Sequence, residues 1–160
     1  MAKLVIILSA AALAAGTAGA AAGHSSPDTQ LQAARTATAA YRDVARAKAA
    51  GYAALSVSSC MPGVGLHFVN LRLLVDGAVD PSRPEYLLYE PRRGGGYTLV
   101  GLEYELFAAG HARPTLFGQA FEGPITENIP GLPRHYALHV WLYRPNPQGL
   151  FAPSNPNVRC

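Results

Sequence analysis

Beyond Tyr52 the chain is cut by glycine and proline into short β-type runs, and this punctuation constrains the fold more than any other feature. "VGLHFVN" (64–70), "PEYLLYEP" (84–91), "GYTLVGLEYELF" (96–107), "TLFGQAF" (115–121) and "HYALHVWLYR" (135–144) read as about five strands. "RRGGG" makes a hairpin turn between two of them. It lacks the Lys-Ser/Thr pair and following helix that would make it a phosphate-binding loop. "LRLLVDG" (71–77) fits one helical turn or a loop, and "EGPITENIPGLPR" fits a long connection. Hairpin-length links and a single early helix predict an α+β fold. One long N-terminal helix would pack on a mostly antiparallel sheet of about five strands, with room for the sheet to curl into a half-barrel.

That helix is expected from Ser26 to Gly51. Ser26 suits the N-cap, Pro27 the first helical position and Gly51 the stop. Ala34, Ala37, Tyr41, Val44 and Ala45 fall on one stripe, with Arg35, Arg42, Asp43 and Arg46 facing away.

The first residues, "MAKLVIILSAAALAAGTAGAAAG", join a basic Lys3 to a short apolar core, Leu4 to Ala15. Small residues around Ala18, Ala20 and Ala22 follow. This is the pattern of a secretory signal peptide over residues 1–22, leaving 23–160 as one domain in a secreted or extracytoplasmic setting, the periplasm or cell envelope. The apolar core is shorter than the roughly 20 residues of a spanning helix, so no stable membrane insertion is expected after cleavage. Cleavage after Gly23 would instead leave His24 as a terminal amine-imidazole pair, the chelate of histidine-brace copper enzymes. Cys60 and Cys160 are the two cysteines. In an oxidising compartment they favour a disulfide, and a redox or metal role is the alternative. The loop closed would span about 100 residues, worth about 4.7 kcal/mol in the chain-entropy model.

The calculated pI near 9.0 does not by itself imply nucleic acid. The arginines are scattered, only Arg92 and Arg93 are adjacent, and no basic stripe forms.

The period of two places chemistry on one face. In 135–143, Tyr136, Leu138, Val140 and Leu142 form an aliphatic-aromatic row opposite His135, His139, Trp141 and Tyr143. In 97–107, Thr98, Val100, Leu102, Tyr104 and Leu106 oppose Tyr97, Leu99, Gly101, Glu103, Glu105 and Phe107. In 64–70, His67 and Val69 oppose Leu66 and Phe68. Aligned strands would bring His67, Glu103 or Glu105, and His139 together on the open face away from the helix. Two imidazoles and a carboxylate are donors for Zn, Cu, Fe or Mn. The primary expectation is therefore a divalent-metal site of His67, Glu103 and His139, with Glu105, His111 and His135 as auxiliaries and catalysis left open. His135 and His139 lie about 13 Å apart along a strand, so at most one binds the ion. The alternatives are a plain solvated sheet face, a structural His–Glu network, and metal-free acid–base chemistry. A small-molecule pocket walled by Trp141, Tyr143, Tyr97 and Asn70 is a further one; Asn70 also suits a helix cap. A surface or interaction protein without a site is the last. No G-x-S-x-G elbow supports a serine nucleophile.

"GVGLHFVN", "DPSRPEYLLYEP", "LVGLEYEL" and "LHVWLYRPNPQGLFAPSNPNV" resemble segments of a family of small exported bacterial proteins, from about Tyr41 to Cys160. The resemblance implies one intact domain. It assigns no activity, substrate or oligomeric state.

Overall fold

A computed structural model describes residues 25–55, 59–126 and 131–160. The expected signal peptide and His24 lie outside these residues. Among the described residues no helix is long and apolar enough to cross a membrane.

The architecture is α+β, with a six-stranded antiparallel sheet and a few short helices. Strands β1 (Ala53–Ala54), β2 (Leu66–Val69), β3 (Tyr86–Pro91), β4 (Tyr97–Phe107), β7 (Glu122–Ile125) and β8 (His135–Val140) lie in the order β1-β2-β3-β4-β8-β7. A separate ribbon joins β5 (Thr115–Leu116) to β6 (Gln119–Ala120). "TLFGQAF" is thus a tight hairpin rather than one strand, turning at Phe117 and Gly118, both at positive φ. Residues 122–125, expected to belong to the long connection, form an edge strand; Pro124 is tolerated there because an edge leaves ladder positions unpaired.

The expected single helix is broken. Helix α1 (Pro27–Thr38) starts as anticipated, with the Ser26 side chain accepting from the Thr29 N–H. A 3-10 turn over Ala39–Arg42 then leads to α2 (Val44–Ala49). In a continuous helix the Tyr41 carbonyl would accept from the Ala45 N–H. Instead the buried Tyr89 hydroxyl donates to that carbonyl, and the Asp43 carboxylate accepts from Ala45. Side chains have taken both halves of the helical bond, so the chain bends. Ala37 and Ala45 stay exposed, while Ala34, Thr38 and Ala47 are fully buried. At the far end the Tyr52 N–H donates to Ala47 and the Gly51 N–H to Lys48. This double closure needs the left-handed backbone that Gly51 adopts at φ +97°.

The core is built in cross-strand rows. Phe68, Leu87, Leu102 and Val140 pair in sequence across β2, β3, β4 and β8, each essentially solvent-free. Each such side chain contributes about 1.5–3 kcal/mol relative to exposure. Tyr89, Leu99, Tyr104 and Leu138 extend this face, and Ala34 and Ala47 of the helical segment join it.

The other face is not open, as expected, but partly roofed. Residues 146–160 return across it, where the Gly63 N–H donates to Val158 and the Asn155 N–H to Gly63. Val158, Val64, Leu88, Val100 and Trp141 make a second core there. A disulfide joins Cys60 to Cys160 and ties the tail to the turn before β2.

Candidate metal centre

The next row across the sheet reads Val69, Tyr86, Glu103, His139. Glu103 of β4 stands opposite His139 of β8. His67 of β2 pairs with Leu88, two residues along from Tyr86 on the same face, so its ring reaches Glu103 diagonally. The His67 Nε2 lies 3.1 Å from Glu103 Oε2, and the His139 Nε2 lies 3.8 Å from Glu103 Oε1. One donor atom from each residue falls within 4.8 Å of the others, so the group could hold a metal ion. Two donors each about 2.0–2.2 Å from one ion stand about 3–3.5 Å apart across tetrahedral or octahedral angles. The 3.1 and 3.8 Å contacts involve different Glu103 oxygens, and the three donors span up to 4.8 Å, so they would draw together around a bound ion.

The donors are largely buried. His67 is 5% exposed, Glu103 7% and the His139 side chain 15%. A cavity of about 130 Å³ adjoins them, lined also by Met61, Val64, Tyr86 and Glu105. Three buried polar atoms in its wall have no hydrogen-bond partner among the described residues: His67 Nδ1, Glu103 Oε2 and Glu105 Oε1. The 3.1 Å contact between His67 Nε2 and Glu103 Oε2 is short enough to favour the ionised carboxylate, though it is poorly aligned for a hydrogen bond. Such orphaned groups normally cost about 1–3 kcal/mol each, more when charged.

Electrostatics separate the carboxylates. Burial works to raise the Glu103 pKa, but His139, His67 and His135 outweigh it and bring it down to about 2. Burial, then the charge of Glu103, pushes Glu105 up to about 8, against a hydrogen bond from Tyr86. Burial likewise lifts Glu85 to about 8, although its carboxylate accepts the Glu105 backbone N–H at 3.0 Å. Glu103 is thus the carboxylate held ionised at neutral pH, the state a metal ligand needs.

The other expected residues are dispersed. His135 is buried beside Pro133, its Nδ1 2.8 Å from that carbonyl and 4.0 Å from Glu105 Oε1, and does not reach the triad. His111 is exposed, with Nδ1 3.0 Å from the Phe107 carbonyl. Asn70 caps the helical turn α3 (Leu71–Leu74): its Oδ1 accepts from the Arg72 N–H and its Nδ2 donates to Ala50.

The aromatic pocket wall does not form. Tyr97 lies on the helix side, edge-on to Phe68 and Tyr89. The reason is a β-bulge: Tyr89 pairs with Leu99 and Leu88 with Gly101, so Val100 is the extra residue. Before the bulge, the faces of β4 exchange. Val100 turns toward Trp141 and Leu99 toward the main core. Tyr143 lies beyond the end of β8, its ring under Arg42 and its hydroxyl 2.7 Å from the Thr38 hydroxyl. Trp141 is buried, donates to the Ala152 carbonyl, and stacks on His139 at 5.9 Å with planes 15° apart. It buttresses a ligand candidate rather than lining the cavity.

Sequence reasoning missed Met61, Tyr86 and Glu85. Tyr86 and Glu85 were within reach of the period-two rule applied to "PEYLLYEP", which sets them on opposite faces; Met61 lies outside the strands and carried no such signal. Comparison with protein-family models, curated proteins and solved structures finds no match to the chain.

Proposed function

We propose that this chain is an exported metal-binding domain in which His67, Glu103 and His139 hold one divalent cation, such as zinc, copper or iron. One observation carries the reading. The three donors converge in a buried site where Glu103 holds a charge between two imidazoles, and a cation would balance it. A purely structural His–Glu network would instead be expected to close its hydrogen bonds.

Two histidines and one carboxylate leave coordination positions open, and such positions accept exchangeable ligands. Those positions would face the cavity of about 130 Å³. That volume is well below the roughly 300 Å³ at which pockets for drug-sized organic molecules begin, so any exchangeable ligand is a small one. The disulfide and the signal-like N-terminus both suit an oxidising compartment outside the cytoplasm.

Metal analysis of the purified protein tests the proposal, after exposure to zinc, copper or iron salts and removal of loose ion. Stoichiometric retention is expected in the wild type and in His111→Ala, and loss in His67→Ala, His139→Ala and Glu103→Gln. A wild type that retains none, or triad variants that retain it all, would end the proposal.

A further inference from the structure

We infer that the Met61 thioether is a further donor to this centre and makes it selective for copper, including copper(I). The inference rests on the metal reading above.

Backbone register places the residue. Met61 and Gly65 form an isolated antiparallel bridge just before β2. The Met61 N–H donates to the Gly65 carbonyl at 3.0 Å, and the N–H groups of Gly65 and Val64 return to the Met61 carbonyl at 2.7 and 2.9 Å. Gly65, at φ +97°, turns the chain tightly just before β2, so the Met61 segment folds back against the start of the strand that carries His67. Gly65 has no side chain to intervene, and none would fit: a Cβ there would meet the Tyr89 carbonyl oxygen at 2.6 Å.

Met61 accordingly lines the same small cavity as His67, Glu103 and His139. Its backbone is held by three hydrogen bonds and adjoins the Cys60–Cys160 disulfide. The residue is 37% exposed, so its side chain is not locked into the core. Three rotatable bonds let the sulfur swing over the donors. Soft thioethers select copper(I), imidazole serves copper in either oxidation state, and neither calcium nor magnesium takes sulfur.

The test compares wild type with Met61→Leu, a swap of similar volume at a partly exposed site. Both proteins, with the disulfide intact, are titrated with copper(I) under anaerobic ascorbate against a competing chelator, and separately with zinc. Copper(I) affinity should fall by at least the roughly 10–100-fold that loss of an outer partner costs a metal site. Zinc affinity should hold. X-ray absorption should show a sulfur neighbour to copper in the wild type and none in the variant. Zinc binding with copper(I) affinity unaltered by Met61→Leu overturns this inference and leaves the triad intact. Equal losses for both metals also overturn it, by making Met61 a packing residue. A wild type that binds neither metal overturns the triad reading as well.

Discussion

Glu103 and His139 stand directly opposite each other on β4 and β8, with Oε1 3.8 Å from Nε2, although 36 positions separate them in the chain. Neither strand alone specifies that meeting. The antiparallel register does, and it places a buried charge beside an imidazole in a site that excludes most water.

Metal-free protein should depend on the Glu103 charge at low pH. Its folded pKa, about 2, is below its ordinary 4.5, so its stabilisation is complete above 4.5 and lost as pH falls toward 2. Glu103→Gln should flatten this acid limb and cost on the order of 3 kcal/mol near neutrality. Urea unfolding of both proteins across that window checks it; parallel curves would contradict the assignment.

Glu85 should act with the opposite sign. Its carboxyl is raised from 4.5 to about 8, so the unfolded chain releases the proton first and stability falls as pH climbs between those values. Glu85→Gln keeps an oxygen for the Glu105 N–H but removes the ionisation. Thermal unfolding should show a smaller loss between about pH 5 and pH 8 than in wild type. An unchanged slope would place the titration elsewhere.

Gly101 should resist enlargement. A Cβ there would lie 2.9 Å from Cε3 of Trp141, the ring that stacks on His139. Gly101→Ala should cost about 1–3 kcal/mol by overpacking. It should also weaken metal binding, because His139 must move with the indole. A variant as stable as wild type, with the same affinity, would separate the two rings functionally.

Trp141 is the chain's one tryptophan and reports on the site. Copper(II) bound through His139 should quench its fluorescence strongly, whereas zinc, with its filled d shell, should not. Equal responses to both ions would argue against coordination by His139.

Breaking the Cys60–Cys160 link should destabilise the domain. It closes a separation of 100 residues, worth about 4–5 kcal/mol in the chain-entropy model. Cys160→Ser should lower the urea midpoint accordingly. A midpoint at the wild-type value would mean that the tail holds its place without the bond.

Much of the site was legible because strand side chains alternate by local geometry. That rule put His67, Glu103 and His139 on one side of their strands, with Phe68, Leu102 and Val140 on the other. It failed for Tyr97 and Leu99 because a single extra residue, Val100, reverses every position before it, and a bulge leaves no mark in hydrophobicity. It failed for Tyr143 because β8 stops at Val140, where the Trp141 N–H turns to Leu150 and the Tyr143 N–H to Val100. The helix broke for a similar reason: Tyr89, far along the chain, captures the Tyr41 carbonyl.

The amino-acid sequence alone determined the alternating faces, the antiparallel α+β class, and the two cysteines available to pair, since each follows from local backbone periodicity or residue count. Tertiary structure decided which strands became neighbours, where the bulge fell, and that the C-terminal tail would pack beside Trp141 and Leu88. The tail covers Leu88, Val100 and Trp141 rather than the cavity itself, and all these outcomes depend on contacts between residues far apart in the chain, whose energies no local pattern encodes.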